Sequence, residues 1–127
     1  ISDDFYYEAN IVADSLLTEG FPGDWNENNV VKIGLISENK INETKLERIY
    51  IMANPISNSA GYNKSKSILD TSQEYFFNFS EQMIINGSQV QGVGLQPQSS
   101  SQNLIKISRL TIYKNKPVRM DVYLWEM

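Results

Sequence analysis

The chain contains neither cysteine nor histidine. Without cysteine it can form no disulfide, no thiolate nucleophile and no cysteine-ligated metal site, which excludes the small disulfide-stapled class of secreted proteins. Without histidine it lacks the side chain that serves most often as a general base and as a zinc ligand. These absences therefore exclude many enzyme mechanisms and the metal sites that depend on cysteine or histidine.

Long apolar runs and an excess of positive charge are missing too. No stretch reaches the roughly 18 apolar residues of a transmembrane helix. The sequence begins at Ile1 rather than Met, which we interpret as a trimmed or processed form that has lost its targeting segment. Lysine and arginine number 11 against 15 aspartate and glutamate, a net charge of −4, which argues against nucleic acid as a partner. Membrane attachment is expected only through a segment outside this sequence.

What is present suits one domain over residues 1–127 with one modest core, since 41% of the residues are hydrophobic. The first 18 residues predict an amphipathic helix, ended by Gly20 and Pro22. Its apolar positions recur at helical spacing: Ile1, Phe5, Ala9, Val12 and Leu16. This helix is either an ordinary one lying on a sheet or the C-terminal half of a longer helix whose membrane-embedded half is missing.

The rest of the chain alternates between short helices and strands. We predict strands over Val30–Ser37 and Glu74–Gln82, a helix over Ile41–Met52 and a weaker helix over Tyr62–Leu69. Residues 86–103, rich in Gly, Gln and Ser, predict a flexible loop with at most a short strand at Val90–Leu95. A closing hairpin pairs Leu104–Tyr113 with Val118–Glu126. The expected fold is α+β, with the N-terminal helix packed on a mainly antiparallel sheet.

Four asparagines match the N-x-[ST] acceptor pattern for N-glycosylation: Asn42, Asn63, Asn78 and Asn86. Roughly two matches would arise by chance at this content of Asn, Ser and Thr. The pattern has meaning only on an exported protein. The alternative is an Asn- and Ser-rich chain with accidental matches, and Asn42 also serves as the expected N-cap of its helix.

The search for catalytic groups is nearly empty. Ser65-Lys66-Ser67 lacks the S-x-x-K spacing of a serine–lysine pair, and Asp14, Glu19, Asp24 and Glu27 could be chosen as acid–base pairs in any acidic chain. The residues after Asp24 imitate the start of a calcium loop without its glycine or its final glutamate. We therefore expect no enzyme, no cofactor and no metal site.

Tyr123 and Trp125 lie on the same side of the last predicted strand. Two aromatic rings on one face can form a platform for a sugar or a peptide. The simpler interpretation, which we favour, is a second packing face under the N-terminal helix, because a sheet with wide apolar surface must be covered.

Three segments together resemble a known family. They are the end of the first helix with its loop, the strand and helix start that follow, and the terminal hairpin: ADSLLTEGFPGDWN at 13–26, VVKIGLI at 30–36 with INETKL at 41–46, and RLTIY at 109–113 with VYLWE at 122–126. This combination of segments is similar to the soluble part of archaeal pilin-like proteins that carry a class III signal peptide.

The resemblance implies a pilin-like fold and a structural role. Such a subunit would belong to a type IV pilus-like filament, or would stand on the membrane as a pilin-like surface protein, outside the cell. Its partners would be other pilin subunits, joined through an apolar N-terminal helix that this sequence lacks. An extracellular carbohydrate- or peptide-binding module is the alternative, using Tyr123, Trp125 and the 86–103 segment.

Overall fold

A computed structural model of the chain describes residues 3–127. Over these residues it forms an α+β structure with an N-terminal helix on a mainly antiparallel sheet, which confirms the predicted class. The helices are α1 (Asp3–Leu16), α2 (Glu43–Met52) and α3 (Ser59–Ile68). The strands are β1 (Ile36–Ser37), β2 (Lys40–Ile41), β3 (Glu74–Phe79), β4 (Met83–Ile85), β5 (Ser88–Val90), β6 (Val93–Gly94), β7 (Gln102–Tyr113) and β8 (Lys116–Glu126).

The main sheet has the strand order β6-β3-β8-β7, with every neighbouring pair antiparallel. Two small hairpins, β1–β2 and β4–β5, lie outside it. Strand β8 is central, and its residues Val118, Met120, Val122 and Leu124 share one buried core with α1. This alternation of apolar residues is the one that the sequence predicts for the second arm of the hairpin.

Helix α1 buries the predicted stripe, since Phe5, Ala9, Val12 and Leu16 are all buried. The predicted contribution of Ile1 falls outside the described residues. A large side chain buried as completely as Leu16 contributes about 1.5–3 kcal/mol to folding. Within residues 3–127, no helix combines the length and the apolar character that crossing a membrane requires.

The direction of α1 is fixed by polar contacts at two levels of the sheet. Near its start, the Glu8 carboxylate accepts hydrogen bonds from Thr71 Oγ1 at 2.6 Å and from the Ser72 amide at 3.2 Å, just before β3 begins. Further along, Arg109 Nη2 in β7 donates to Asn10 Oδ1 at 2.6 Å. The amino end of α1 therefore lies at the end of the sheet where β3 starts and β8 finishes.

The predicted strand over Val30–Ser37 is mostly wrong. Only Ile36–Ser37 is a strand, and Lys32 makes one isolated bridge to Phe21. The backbone amides of Leu35 and Ile36 donate to the carbonyls of Leu16 and Thr18, so the segment bonds to the end of α1 instead of to a neighbouring strand. Its apolar alternation buries Ile33 and Leu35 against α1 without any sheet ladder.

The other predicted elements occur with shifted ends. Helix α2 begins at Glu43, because Ile41 pairs with Ile36 in the β1–β2 hairpin. Helix α3 is longer than expected and starts after Asn58, whose side chain accepts from the Gly61 amide. Strand β3 is shorter and ends at Phe79.

The segment 86–103, expected to be one loop, contains β5, β6 and the first residues of β7. A short strand at Val90–Leu95 was anticipated, and β6 occupies the middle of that range. The chain then crosses the end of the sheet from one edge strand to the other. It does so over the face opposite α1, where Leu95 O accepts a hydrogen bond from Trp125 Nε1.

The terminal hairpin is confirmed. Strands β7 and β8 pair from Tyr113↔Lys116 back to Gln102↔Glu126, with an irregularity between Gln102 and Ile105. The turn residues Lys114 and Asn115 both have positive φ, 53° and 62°. This is the left-handed geometry that a two-residue turn needs to match the twist of its strands.

Candidate functional site

The four acceptor asparagines lie in different structural settings. Asn42 caps α2, where its Oδ1 accepts from the Lys45 amide at 2.9 Å. It is half-buried. The cap uses the oxygen of the side chain and a glycan would use the nitrogen, so the two roles do not compete for one atom.

Asn63 is exposed in the middle of α3, but its partner Ser65 is fully buried. Ser65 Oγ donates to the Tyr62 carbonyl at 2.6 Å and lies 2.7 Å from Tyr75 Oη, which must then be the donor of that second bond. Burial raises the pKa of Tyr75 far above its ordinary value. Ser65 thus joins α3 to β3 and offers neither a nucleophile nor an accessible hydroxyl.

Asn78 is half-buried on β3, an interior strand of the main sheet, where it faces Asp121 of β8. Ser80, the third residue of this pattern, is also hydrogen-bonded through its backbone, because its amide donates to Arg119 O at 2.8 Å. This acceptor pattern runs along paired backbone.

Asn86 occupies the tip of the β4–β5 hairpin. Asn86, Gly87 and Ser88 are all exposed, and Asn86 and Gly87 form a two-residue turn with φ of 53° and 77°. A Cβ placed on Gly87 would meet nothing within 4 Å. Of the four patterns, this one alone has all three residues exposed.

Tyr123 and Trp125 do share a face, as the strand period requires, but they are not a platform in this structure. Trp125 is fully buried, and its indole nitrogen donates to Leu95 O at 3.1 Å. Tyr123 is partly buried, with its ring 6.2 Å from that of Phe76. This face is covered by residues 95–101, which connect β6 to β7 and which we call the crossing segment. The expectation that α1 covers this face is therefore wrong.

The same face carries a charged cluster around Asp121 that sequence analysis missed. Asp121 is 4% exposed. Its carboxylate accepts from Arg119 Nε at 2.9 Å and from Ser108 Oγ at 2.7 Å, and Lys106 Nζ lies 3.8 Å away. Burial alone would favour the neutral form, but the bonds from Arg119 and Ser108 and the charge of Lys106 hold the pKa of Asp121 below its ordinary value. The hydrogen bonds and ion pairs of the Asp121 carboxylate are all made to residues of the same sheet, so we interpret the cluster as structural.

A second unpredicted feature is a clasp that ties α1 to α2. Lys45 of α2 is 4% exposed, and its ammonium donates to the carbonyls of Glu19 and Ile36 at 2.8 Å each. One turn on, Arg48 Nη1 donates to the carbonyl of Trp25 at 2.8 Å. Burial lowers the pKa of Lys45 from its ordinary value, against the raising effect of Glu19. The sequence held a signal for this, because Lys45 lies four residues before the buried Ile49, on the apolar stripe of α2.

On the loop side of this clasp, Trp25 packs against the body of the domain. Its side chain is fully buried and Nε1 donates to the Gly34 carbonyl at 2.8 Å. Gly20 and Gly34 are in contact, because a Cβ on Gly34 would collide with the backbone of Gly20 and Thr18. We call Gly20, Trp25, Gly34, Lys45 and Arg48 the α1–α2 clasp. All of these residues except Arg48 lie within two of the segments on which the resemblance rests.

The candidate acid–base residues are all exposed on the surface. Asp14 pairs with Arg109 Nε at 3.3 Å, while Glu19, Asp24 and Glu27 are exposed around the loop after α1. Asn26 Oδ1 accepts from the Asn28 amide, and the Asn26 amide donates to Asn29 Oδ1, so both bonds are local turn bonds. Among residues 3–127, no group of three acidic side chains is arranged to hold a metal ion.

One shallow cleft of about 390 Å³ lies where the end of α2 meets β3 and the segment after β5. Two aromatic residues, Tyr50 and Phe76, line it together with amide side chains: Asn54, Gln89, Gln91, Gln96 and Gln98. Amide groups above an aromatic surface can bind sugar hydroxyls or a peptide backbone.

No protein-family model matches the chain, and neither a curated protein nor a solved structure matches it.

Proposed function

We propose that this chain is the outward-facing globular domain of a pilin-like structural subunit. An apolar segment continuing α1 at its amino end would hold the subunit in a cell-surface filament or in the membrane. The domain would be displayed outside the cell, and the protein would have no enzymatic activity.

The observation that carries this proposal is the packing of an N-terminal amphipathic helix across an antiparallel sheet. The buried stripe of α1 lies on the face of β8 that carries Met120 and Val122. Its amino end lies at one end of the sheet, fixed there by Glu8. A helix placed in this way can be extended beyond the domain without disturbing any strand.

The chemistry of the domain supports the same role. The two charged side chains that are buried among the described residues, Lys45 and Asp121, are committed to structural bonds. An excess of four negative charges favours solubility and discourages non-specific association of displayed domains. The resemblance to archaeal pilin-like proteins adds a family in which such domains are assembled.

The proposal is tested in the parent gene. We expect the codons before Ile1 to encode an in-frame apolar run of about 20 residues, preceded by a processing site. A polar stretch, or a start codon immediately before Ile1, would refute it. On intact cells expressing the whole gene, an antibody against the domain should label filaments or the cell envelope, and deletion of the apolar run should abolish that labelling.

A second candidate is an extracellular carbohydrate- or peptide-binding module, favoured by the cleft between Tyr50 and Phe76. Both tryptophans are buried, so tryptophan fluorescence is a poor reporter. Backbone amide NMR shifts during titration with glycans and peptides are better. Binding should shift Gln91 and Gly92, and Gln91→Ala should weaken it. Unchanged spectra across a broad panel would dismiss this candidate.

A further inference from the structure

We propose that Asn86 is the N-linked glycan acceptor of the folded domain, and that the other three acceptor patterns are not used once the domain has folded. The inference rests on the proposed function for its setting, because only an exported chain meets the glycosylation machinery. It concerns which asparagine is modified, which the sequence pattern alone cannot decide.

The first argument is access to both ends of the acceptor pattern. A transferase must reach the amide nitrogen of the asparagine and the hydroxyl two residues later. At the β4–β5 tip, Asn86 and Ser88 are both exposed. Within the described part of the chain, neither side chain is engaged in a hydrogen bond with another residue.

The second argument is the cost of reaching the other sites. Ser65, the partner of Asn63, is fully buried, with its hydroxyl bonded to Tyr62 and Tyr75. Asn78 lies on an interior strand of the sheet, and Asn42 begins a helix that its own side chain caps. Each of these acceptor patterns lies on hydrogen-bonded helix or strand backbone, and we expect a transferase to need local opening there, whereas the Asn86-Gly87-Ser88 tip is already exposed.

The third argument is the backbone at the tip. Asn86 and Gly87 both adopt positive φ, so the chain turns back immediately after the acceptor. Nothing lies within 4 Å of a Cβ built at Gly87. Because Asn86 is itself exposed, we expect a bulky group on its side chain to extend into solvent.

The reaction that this site would undergo is transfer of an oligosaccharide from a polyprenyl-phosphate-linked donor. The Asn86 Nδ2 forms a bond to C1 of the first sugar, and the bond between C1 and the phosphate oxygen of the donor breaks. One amide proton leaves the nitrogen, and the polyprenyl phosphate departs with the bonding electrons. No oxidant or reductant is needed.

The position of the tip gives the modification a direction. The amide of Ile84 donates to Tyr113 Oη at 3.4 Å, and the ring of Tyr113 is tilted against that of Phe79, with 4.8 Å between centroids. Strand β4 therefore starts at the end of the sheet farthest from Glu8. If α1 leads towards an anchor, the glycan is carried on the outer half of the domain.

The test compares variants of the whole gene product in a host that carries out N-glycosylation. Intact mass and glycopeptide mass spectrometry are the readouts. Asn86→Gln and Ser88→Ala should each lose the glycan mass completely, and Ser88→Thr should keep it. Ser88→Ala leaves both turn residues in place, so it separates loss of the acceptor pattern from damage to the hairpin.

The matched control is Asn63→Gln, which changes another exposed asparagine and should leave the glycan mass unchanged. A glycan retained on the Asn86→Gln protein, or found at Asn42, Asn63 or Asn78, would overturn the inference. Antibody labelling of the same intact cells separates the two proposals. A surface protein without any glycan contradicts the choice of Asn86 and leaves the proposed function standing.

If the protein is not exported, the proposed function fails, and the acceptor is then tested on the purified chain. Incubation with an oligosaccharyltransferase and a lipid-linked oligosaccharide should modify the folded wild type at Asn86. The Ser88→Ala protein should stay unmodified. Modification elsewhere on the folded chain, or no modification of the wild type, would contradict the inference.

Discussion

Close contact between two glycines explains why one segment of this sequence cannot be a strand. A Cβ at Gly34 would collide with the backbone of Gly20 and Thr18, and Gly20 itself has a φ of 75°. The residues between them are therefore held as a folded loop on the end of α1. The alternation in VVKIGLI indicates burial correctly, but it says nothing about where the backbone bonds go.

Replacement of Gly34 by alanine tests this contact. We expect Gly34→Ala to lower the free energy of unfolding by about 3 kcal/mol, because the added methyl group meets backbone that cannot move aside. Gly23→Ala is the matched control, since a Cβ there meets nothing within 4 Å, and it should change stability by less than about 0.5 kcal/mol. Urea unfolding measures both. Equal stabilities would show that the two glycines are not in contact.

Asp121 makes the free energy of unfolding of the domain depend on pH in the acid range. Its pKa is held below the ordinary 3.8 in the folded state, so the unfolded chain takes up a proton first as the pH falls. The stability that this carboxylate contributes is therefore complete above pH 3.8 and is lost as the pH drops through the folded pKa.

The Asp121→Asn variant should thus be about 1–3 kcal/mol less stable than the wild type at pH 7. The gap should narrow as the pH falls below 3.8. Glu38→Gln, at an exposed position, is the control and should give a small, constant difference. Unfolding curves from pH 7 to acid measure the gap, and a gap that stays constant would contradict the assignment.

At the scale of elements, the terminal hairpin was the easiest feature to predict, and the two short hairpins were missed. Alternation around Lys114 and Asn115 specifies β7 and β8 because strand pairing there is local. The β4–β5 hairpin carries an equally good signal in Asn86-Gly87, which the sequence analysis took as part of a loop. Its strands are three residues each, too short for an alternating pattern to stand out.

The β7–β8 turn is open to improvement. Lys114 adopts a φ of 53°, which costs a lysine more than it costs asparagine or glycine. The double substitution Lys114→Asn with Asn115→Gly should raise stability by about 0.5–1 kcal/mol by supplying the residues that such turns prefer.

Thermal unfolding checks this turn prediction. Asn115→Ala is the contrasting variant, because alanine tolerates a φ of 62° poorly, and it should lower the melting temperature. If both changes had the same sign, the left-handed geometry of the turn would be wrong.

The partners of the buried polar side chains could not be predicted from the sequence, although the position of Lys45 on the apolar stripe of α2 indicated that it is buried. Lys45 reaches the carbonyls of Glu19 and Ile36, and Asp121 gathers Ser108 and Arg119 from neighbouring positions of the sheet. Such bonds depend on how the helices and strands pack together, and the helix and strand propensities of the residues do not determine that packing. The acceptor patterns were visible in the sequence, but their accessibility was not.

At the scale of the whole molecule, both tryptophans are inside. Trp25 is fully buried within the α1–α2 clasp, and Trp125 is fully buried under the crossing segment. We expect native fluorescence to peak at shorter wavelength than in the unfolded chain and to resist quenching by iodide. Denaturant should shift the emission and expose both rings together in one transition.

A control separates the two rings. Trp25→Phe leaves Trp125 as the sole reporter, and its emission should also be protected from iodide in the native state. Strong quenching of this variant would show that the crossing segment does not cover Trp125, and the binding-platform interpretation of Tyr123 and Trp125 would return.

The contact of Glu8 with Thr71 and Ser72 also determines how the chain could be rewired. It places residue 3 and the end of β8 at the same end of the sheet, with the Asn86-Gly87 tip at the other. A short flexible linker could then join residue 3 to the end of β8, and a cut at Gly87 would open the resulting ring without breaking any pair of the main sheet. We therefore expect a circular permutant that begins at Gly87 to keep the same arrangement of helices and strands in space, although their order along the chain is changed.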